Sequence, residues 1–145
     1  MSFDATCFYC TKDERLAQLM LEITALEVST LFLFKEQTYR GRCLVAYRSH
    51  AKELFDAGED LAAFARDIAR AARAVDEAMK PSKINYGAYA DKQCHLHFHI
   101  VPKYVDGHSW GSTFEMMPQP KVLLSDPEYA ELIERIRAKL VSGTV

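Results

Sequence analysis

The chain has 145 residues, of which 49% are hydrophobic and 26% are charged, and its formal net charge is −2. This length suits a single domain over residues 1–145, and the near-neutral charge gives no general attraction to nucleic acid or to anionic membranes. No apolar run approaches the roughly 18 residues of a membrane span, and the first residues lack the features of a signal peptide. We therefore expect a globular, cytoplasmic protein.

The first half of the chain predicts a helix, a β-hairpin and a long second helix. Apolar residues at helical spacing predict the first helix over Thr11–Ile23, and β-branched and aromatic residues predict a strand over Val28–Phe34. A turn leads into a second strand, Arg42–Arg48, which forms an antiparallel hairpin with the first. The 3.6-residue period is clearest in the long helix, Leu61–Met79, which a following proline ends.

The second half predicts two more strands and a C-terminal helix. The strands are Ile84–Tyr89 and Cys94–Lys103, and the helix opens at Asp126 with a proline at an early position. Because strands and helices are partly segregated along the chain, the class is α+β with an antiparallel sheet of about five strands.

Three of the five histidines alternate with large apolar residues, at His95, His97 and His99. In a strand this period of two places all three side chains on one face. Imidazoles with a pKa of about 6.5 are mostly neutral near pH 7. Such a face can hold a zinc ion, attack phosphorus to form a phosphohistidine, or be a polar surface, and the pattern alone leaves these three interpretations open.

A Cys-x-x-Cys pair, Cys7 and Cys10, lies near the N-terminus. The spacing alone is compatible with half a zinc site, a redox pair or chance. A redox dithiol usually begins a helix within a βαβ unit, and no such unit is predicted. The sequence has no second Cys-x-x-Cys, so a zinc site here has to recruit histidines.

The order His-x-His-x-His followed by Ile100–Lys103 resembles the histidine-triad (HIT) family of nucleotide hydrolases and transferases, and the resemblance covers nearly the whole chain. It implies a HIT-like fold with a long central helix, and a homodimer that joins two sheets. It also implies reaction at the α-phosphate of a dinucleoside polyphosphate, a nucleoside phosphoramidate or an adenylated compound, through a nucleotidyl-histidine intermediate.

The resemblance assigns roles to single residues. The middle histidine of the family is the nucleophile, which implies His97, and the third binds and polarises the phosphate, which implies His99. The asparagine that contacts the substrate near the phosphate matches Asn85. Zinc-bearing relatives, including the galactose-phosphate uridylyltransferase branch, complete their Cys-x-x-Cys site with two histidines, which match His50 and His95. With Cys7 and Cys10 these form a closed, structural Zn²⁺ site, and no organic cofactor is implied.

The chain departs from the family pattern around the phosphate. Many members have Gly-His where this chain has Gly41-Arg42, and Gly-Gln-Ser/Thr where it has Ala90-Asp91-Lys92. Ionised Asp91 cannot donate to a phosphate, so we expect it to face away, and Lys92 and Arg42 are the candidates for the missing charge. Glu36 is a candidate for the acidic residue at the ribose hydroxyls. We therefore expect altered substrate selectivity.

Two other functions stay open at this stage. Loss of the glutamine and serine positions is compatible with a nucleotide-binding regulatory module that turns substrate over slowly. A hydrolase with zinc held by the triad itself is the third alternative, and it predicts that chelation abolishes the chemistry while the fold survives.

Overall fold

The computed structural model of the protein describes residues 1–142 and has the predicted α+β class. The helices are α1 (Phe8–Thr11), α2 (Glu14–Leu19), a 3₁₀ helix (Leu54–Asp60), α3 (Leu61–Met79) and α4 (Asp126–Ser142). The strands are β1 (Met20–Ala25), β2 (Ser29–Phe34), β3 (Cys43–Tyr47), β4 (Lys83–Gly87) and β5 (His97–Lys103). The predicted hairpin, the long helix and the C-terminal helix are confirmed.

The five strands form one antiparallel sheet in the order β1-β2-β3-β5-β4. Strand β5, which carries His97 and His99, therefore lies between two neighbours, with His97 opposite Ala46 and His99 opposite Leu44 of β3. Both sides of β5 are hydrogen-bonded, and this holds its backbone more rigidly than an edge strand.

The two faces of the sheet are covered differently. Helices α3 and α4 pack on one face, where Phe64, Val75 and Ile100 belong to the larger core. Small side chains on the buried side of α3 let the helix approach the sheet closely: Ala71, Ala72, Ala74 and Ala78. The opposite face holds a smaller cluster around the N-terminal segment, and the period of two directs His97 and His99 to this face.

The predicted first helix over Thr11–Ile23 is wrong in its extent. Helix α2 ends at Leu19, and Met20 begins β1, the strand that completes the sheet beside β2. Met20 packs in the smaller cluster, whereas Ile23 packs in the core under the helices. A spacing of three puts two residues on one side of a helix but on opposite faces of a strand, so the same apolar pattern fitted both structures.

Two other boundaries differ from the prediction by a few residues. Strand β5 begins at His97 rather than at Cys94, so His95 lies just before the strand, and β4 ends at Gly87.

No helix within residues 1–142 has the length and apolar character needed to cross a membrane.

Candidate active site and metal centre

His97 is held with a free ring nitrogen. Its Nδ1 lies 2.7 Å from the carbonyl oxygen of His95, and because a carbonyl only accepts, Nδ1 carries the proton and donates. The other nitrogen, Nε2, then has the lone pair. Burial lowers the pKa of His97, and Tyr9 stacks on the ring at a centroid distance of 5.0 Å. His97 is therefore a neutral imidazole whose unprotonated Nε2 is held in one orientation.

His99 has the opposite assignment of its ring nitrogens. Nη2 of Arg42 lies 3.1 Å from Nδ1 of His99, and a guanidinium only donates, so Nδ1 accepts and Nε2 carries the proton. Burial, together with the positive charge of Arg42, lowers the pKa of His99 to about 2. His99 thus stays neutral and offers one N–H donor beside His97, at a ring-centroid distance of 5.2 Å.

The two histidines border a cavity of about 380 Å³. Most of its other lining residues are apolar: Phe8, Tyr9, Leu19, Met20, Phe34, Leu44, Met116 and Met117. The loop Tyr89–Gln93 forms another part of the wall, with Asp91 and Lys92 exposed to solvent. A pocket with apolar walls and a few convergent polar groups suits a small organic ligand that has one polar end.

Residues 104–125, called here the cover segment, have no helix or strand but lie across this face of the sheet. Four buried side chains bind the backbone of the segment: Glu36, Tyr39, Arg42 and Lys103. Arg42 Nη1, for example, donates to the carbonyl of Met116 at 2.8 Å. These bonds hold Met116 and Met117 in the wall of the cavity.

The four predicted metal ligands converge at the other end of the triad. One donor atom from each of Cys7, Cys10, His50 and His95 lies within 4.8 Å of all the others. Nδ1 of His95 is 3.4 Å from the sulfur of Cys7 and 3.8 Å from that of Cys10. Bonds of about 2.3 Å to sulfur and about 2.0 Å to nitrogen put tetrahedral donors roughly 3.5 Å apart, so these spacings fit zinc.

The far sides of the two imidazoles also suit a metal ion. Nε2 of His95 donates to the carbonyl of Tyr47 at 2.7 Å, which leaves Nδ1 unprotonated and turned toward the thiols. Nε2 of His50 lies 3.7 Å from a carboxylate oxygen of Asp4. Burial lowers the pKa of His95 to about 4, so the ring is neutral, as a ligand must be.

The other predicted substrate residues are not all beside the triad. Lys92 lines the cavity, whereas Asn85 lines a neighbouring depression on the far side of Phe114. Arg42 is fully buried behind His99 and is absent from the cavity wall. The carboxylate of Glu36 is buried and accepts hydrogen bonds from the N–H of Thr38 and from that of Val122, which belongs to the cover segment. Both of its oxygens already accept hydrogen bonds from these two residues.

Three features of the site were not predicted from the sequence: the stacking of Tyr9, the bond from Arg42 to His99, and the Met116–Met117 wall. Tyr9 lies inside the Cys-x-x-Cys motif, so the predicted metal site implied that Tyr9 is near His95. The stacking of the two rings is visible only in the structure. Nothing in the sequence relates residues 116–117 to the triad, because the cover segment has no periodic pattern.

Comparisons with known proteins identify the family and the fold of the chain. The family model described as HIT domain matches residues 12–106. A histidine triad protein from Bradyrhizobium japonicum has a similar structure, with 25% sequence identity and a TM-score of 0.80 over 88% of this chain and 96% of the other. One from Marinobacter aquaeolei covers 98% of both chains with 17% identity and a TM-score of 0.81.

A third similar structure is described as a zinc-bound histidine triad family protein from Mycobacterium smegmatis. It shares 23% identity, covers 83% of this chain and 84% of its own, and has a TM-score of 0.60. No curated protein matches the chain in sequence.

Proposed function

Because the chain belongs to the HIT domain family, whose members are nucleotide-binding hydrolases and transferases, we propose that it acts at the α-phosphate of a nucleotide through a covalent nucleotidyl-His97 intermediate. One observation carries the proposal. His97 presents a lone pair on Nε2 and His99 a proton on Nε2, side by side at an apolar cavity. A nucleophile and a donor are the two groups that phosphoryl chemistry needs here.

The reaction has two steps. The Nε2 lone pair of His97 attacks the α-phosphorus, the bond to the leaving group breaks, and that group departs with the electron pair and takes up a proton from solvent water. Water then attacks the same phosphorus and loses a proton to solvent, the bond to Nε2 breaks with its electron pair returning to His97, and a nucleoside monophosphate leaves. His99 donates its Nε2 proton in a hydrogen bond to a non-bridging phosphate oxygen and stabilises the charge that develops there.

The substrate class is a nucleotide with a replaceable group on its α-phosphate: a dinucleoside polyphosphate, a nucleoside phosphoramidate or an adenylated compound. The apolar walls of the cavity suit the base and sugar, and Lys92 can bring positive charge to the phosphate from the rim. Asn85 remains a predicted substrate contact, which requires the substrate to reach past Phe114.

We also propose that Cys7, Cys10, His50 and His95 hold one structural Zn²⁺ and that no organic cofactor takes part. The spacing of the donor atoms supports this, as does the relative from Mycobacterium smegmatis that is zinc-bound. A closed set of four protein ligands leaves no open position for substrate. The ion would tie the N-terminal segment to the residue that precedes β5.

The proposed assembly is a homodimer. Strand β4 lies at one edge of the sheet and pairs only with β5 among the described strands, so its other side offers free backbone groups to a second copy. Sedimentation equilibrium of purified protein tests this directly, with a monomer at all concentrations as the opposing result.

Trapping the intermediate tests the proposed reaction. Adenosine 5′-phosphoramidate or diadenosine polyphosphate is mixed with the protein, quenched in alkaline denaturant within milliseconds, and the protein is weighed by mass spectrometry. We expect an added adenylyl group on the peptide that contains His97, its absence in His97→Ala, and its retention in the surface control His108→Ala.

The two alternatives give different results in the same experiment. A regulatory nucleotide-binding module binds adenosine monophosphate but forms no adduct with any substrate. A hydrolase with zinc in the triad forms no adduct either, and brief chelation stops its turnover while the fold persists. An adduct on another residue, or hydrolysis without one, rejects the proposed mechanism.

A further inference from the structure

Arg42 is the largest side chain that the structure buries completely, with 0% of its surface exposed. It forms no ion pair with a carboxylate of residues 1–142, and its Nε has no hydrogen-bond partner there. Burial lowers the pKa of Arg42 to about 10, which still leaves it charged at pH 7. The buried carboxylate of Glu36 offsets part of this charge at longer range. A buried cation that contacts no carboxylate directly is still costly, so its presence calls for a function.

Two aromatic rings and three acceptors fix the guanidinium in place. Its central carbon lies 4.3 Å from the ring centroid of Phe34 and 5.3 Å from that of Phe114. Nη1 donates to the carbonyl of Met116 at 2.8 Å, and Nη2 lies 3.2 Å from the sulfur of the same residue. Nη2 also donates to Nδ1 of His99 at 3.1 Å.

We propose, on the basis of the proposed function, that Arg42 is a positioning residue that acts through His99. The guanidinium holds Nδ1 of His99 as an acceptor, and this bond points the protonated Nε2 into the cavity, where the phosphate would lie. The positive charge of Arg42 further polarises that N–H without touching the substrate. A bound phosphate would add negative charge on the cavity side of Arg42, whose charge in the free protein is offset in part by Glu36.

The same guanidinium connects His99 with the wall of the cavity. By bonding the carbonyl of Met116, it sets the distance between the donor histidine and the Met116–Met117 wall. Only a planar fork with several donors reaches both groups at once, and the single ammonium of lysine lacks that geometry. Arg42 occupies the position where the resemblance places a histidine after the glycine. In this proposal it acts by holding His99 in place and does not contact the substrate.

Nitrogen-15 NMR of the histidine rings tests the proposal without any substrate. In zinc-loaded wild-type protein at pH 7, we expect Nε2 of His99 to be protonated and Nδ1 to resonate as a hydrogen-bonded acceptor, with the assignment made by comparison with His99→Ala. In Arg42→Met, the Nδ1 resonance moves toward that of a free imidazole nitrogen, and Arg42→Gln, which keeps a neutral donor, restores part of the shift. If the wild-type spectrum shows the proton on Nδ1 of His99, the proposal is wrong. This result needs no variant of Arg42, so it holds even if those variants fail to fold.

Kinetics provide the second measurement. Arg42→Met lowers kcat by about 10- to 100-fold, while KM changes less than about threefold. This is less than the roughly 100- to 1,000-fold expected for loss of a donor, because His99 remains but is no longer held in place. In a His99→Ala background, Arg42→Met lowers kcat by less than about a further threefold, because the histidine through which Arg42 acts is already absent. The control Arg137→Met removes a remote arginine that donates to the carbonyl of Ile23, and leaves kcat unchanged.

The possible failures are distinguishable. If no nucleotidyl adduct forms on the wild-type protein, the proposed function fails, while the state of His99 in NMR still reports on Arg42. If the losses from Arg42→Met and His99→Ala multiply in the double variant, or if Arg42→Met changes neither the Nδ1 resonance nor kcat, Arg42 does not act through His99.

Discussion

The two ends of the histidine triad are built from different chemistry. At one end, His95 lies among two cysteines and a second histidine, with its far nitrogen bonded to a backbone carbonyl. At the other end, His99 contacts a buried guanidinium and faces a cavity. Both rings are neutral because burial disfavours the charged form. Two histidines only four residues apart thus have different surroundings, which are set by what the rest of the chain places beside them.

His97 lies between these ends and depends on both. Its orientation comes from the His95 side, through the carbonyl that accepts its Nδ1 proton and through Tyr9, whose ring stacks on both histidines at 4.9 and 5.0 Å. Its partner in the proposed chemistry comes from the other side. We thus expect the metal end to determine stability and the arginine end to determine rate.

The largest expected effect is at the middle histidine. His97→Ala should lower turnover by about 1,000-fold or more, since the covalent route itself is lost, while the affinity for adenosine monophosphate in calorimetry stays within about threefold. Near-normal turnover of His97→Ala, together with loss of turnover in His99→Ala, would show that His99 and not His97 is the nucleophile.

Removal of the metal ligand set should mainly affect stability. Elemental analysis is expected to show about one zinc per chain, and Cys10→Ser or chelation should lower the melting temperature by about 10 °C, because a closed site binds only the folded chain. The matched control is Cys43→Ala, a buried thiol outside the site, which should leave the zinc content unchanged. Metal-free protein with an unaltered melting temperature and a Cys7–Cys10 disulfide contradicts this assignment.

Arg42→Met should have the opposite signature. Because the change removes both a buried charge and its hydrogen bonds, we expect the free energy of unfolding to change by only about 1 kcal/mol in either direction, whereas kcat falls. Urea denaturation checks this. A loss of stability as large as that of Cys10→Ser makes Arg42 a structural residue and removes the contrast between the two ends.

A smaller effect is expected at the rim of the cavity. Asp91 is expected to face away from the phosphate, but it lies in the loop that lines the cavity and brings a negative charge to its rim. Asp91→Asn should therefore raise kcat/KM for adenosine 5′-phosphoramidate or diadenosine polyphosphate by about fivefold, the size of one screened charge interaction. Comparing rates on these substrates with those on other nucleotidyl compounds tests whether this loop sets selectivity. Equal rates in wild type and variant show that it does not.

The smallest effect concerns the backbone of the same loop. Ala90 has a φ of 65°, a left-handed conformation that costs a residue with a Cβ about 1 kcal/mol. Ala90→Gly removes this cost but gives the unfolded chain more freedom, so the net gain in unfolding free energy should be about 0.5 kcal/mol. Thermal denaturation measures it, and a lower melting temperature shows that the loop is not strained there.

Several parts of the fold were predictable because each depends on a local pattern. The amphipathic period of α3 reports which side of the helix is buried, and the apolar run of β2 belongs to a strand that is buried along its whole length. The alternation in β5 separates the histidines from the large apolar side chains. Met20 and Ile23 show the limit of this reasoning. Their spacing is compatible with helix and strand, and only the pairing of β1 with β2 decides between the two.

The sequence by itself indicated the alternation of His95, His97 and His99 and the Cys-x-x-Cys pair, because these are motifs with short, specific spacings. Its resemblance to the HIT family then implied the other two residues that could bind zinc. Only the tertiary structure decided which nitrogen of each histidine carries the proton, that Arg42 lies behind His99 rather than in the cavity, and that Met116 forms the wall. These facts depend on contacts between residues far apart in the chain. Contacts of that kind leave no periodic trace in the sequence, since they are set by how the sheet, the N-terminal segment and the cover segment pack together.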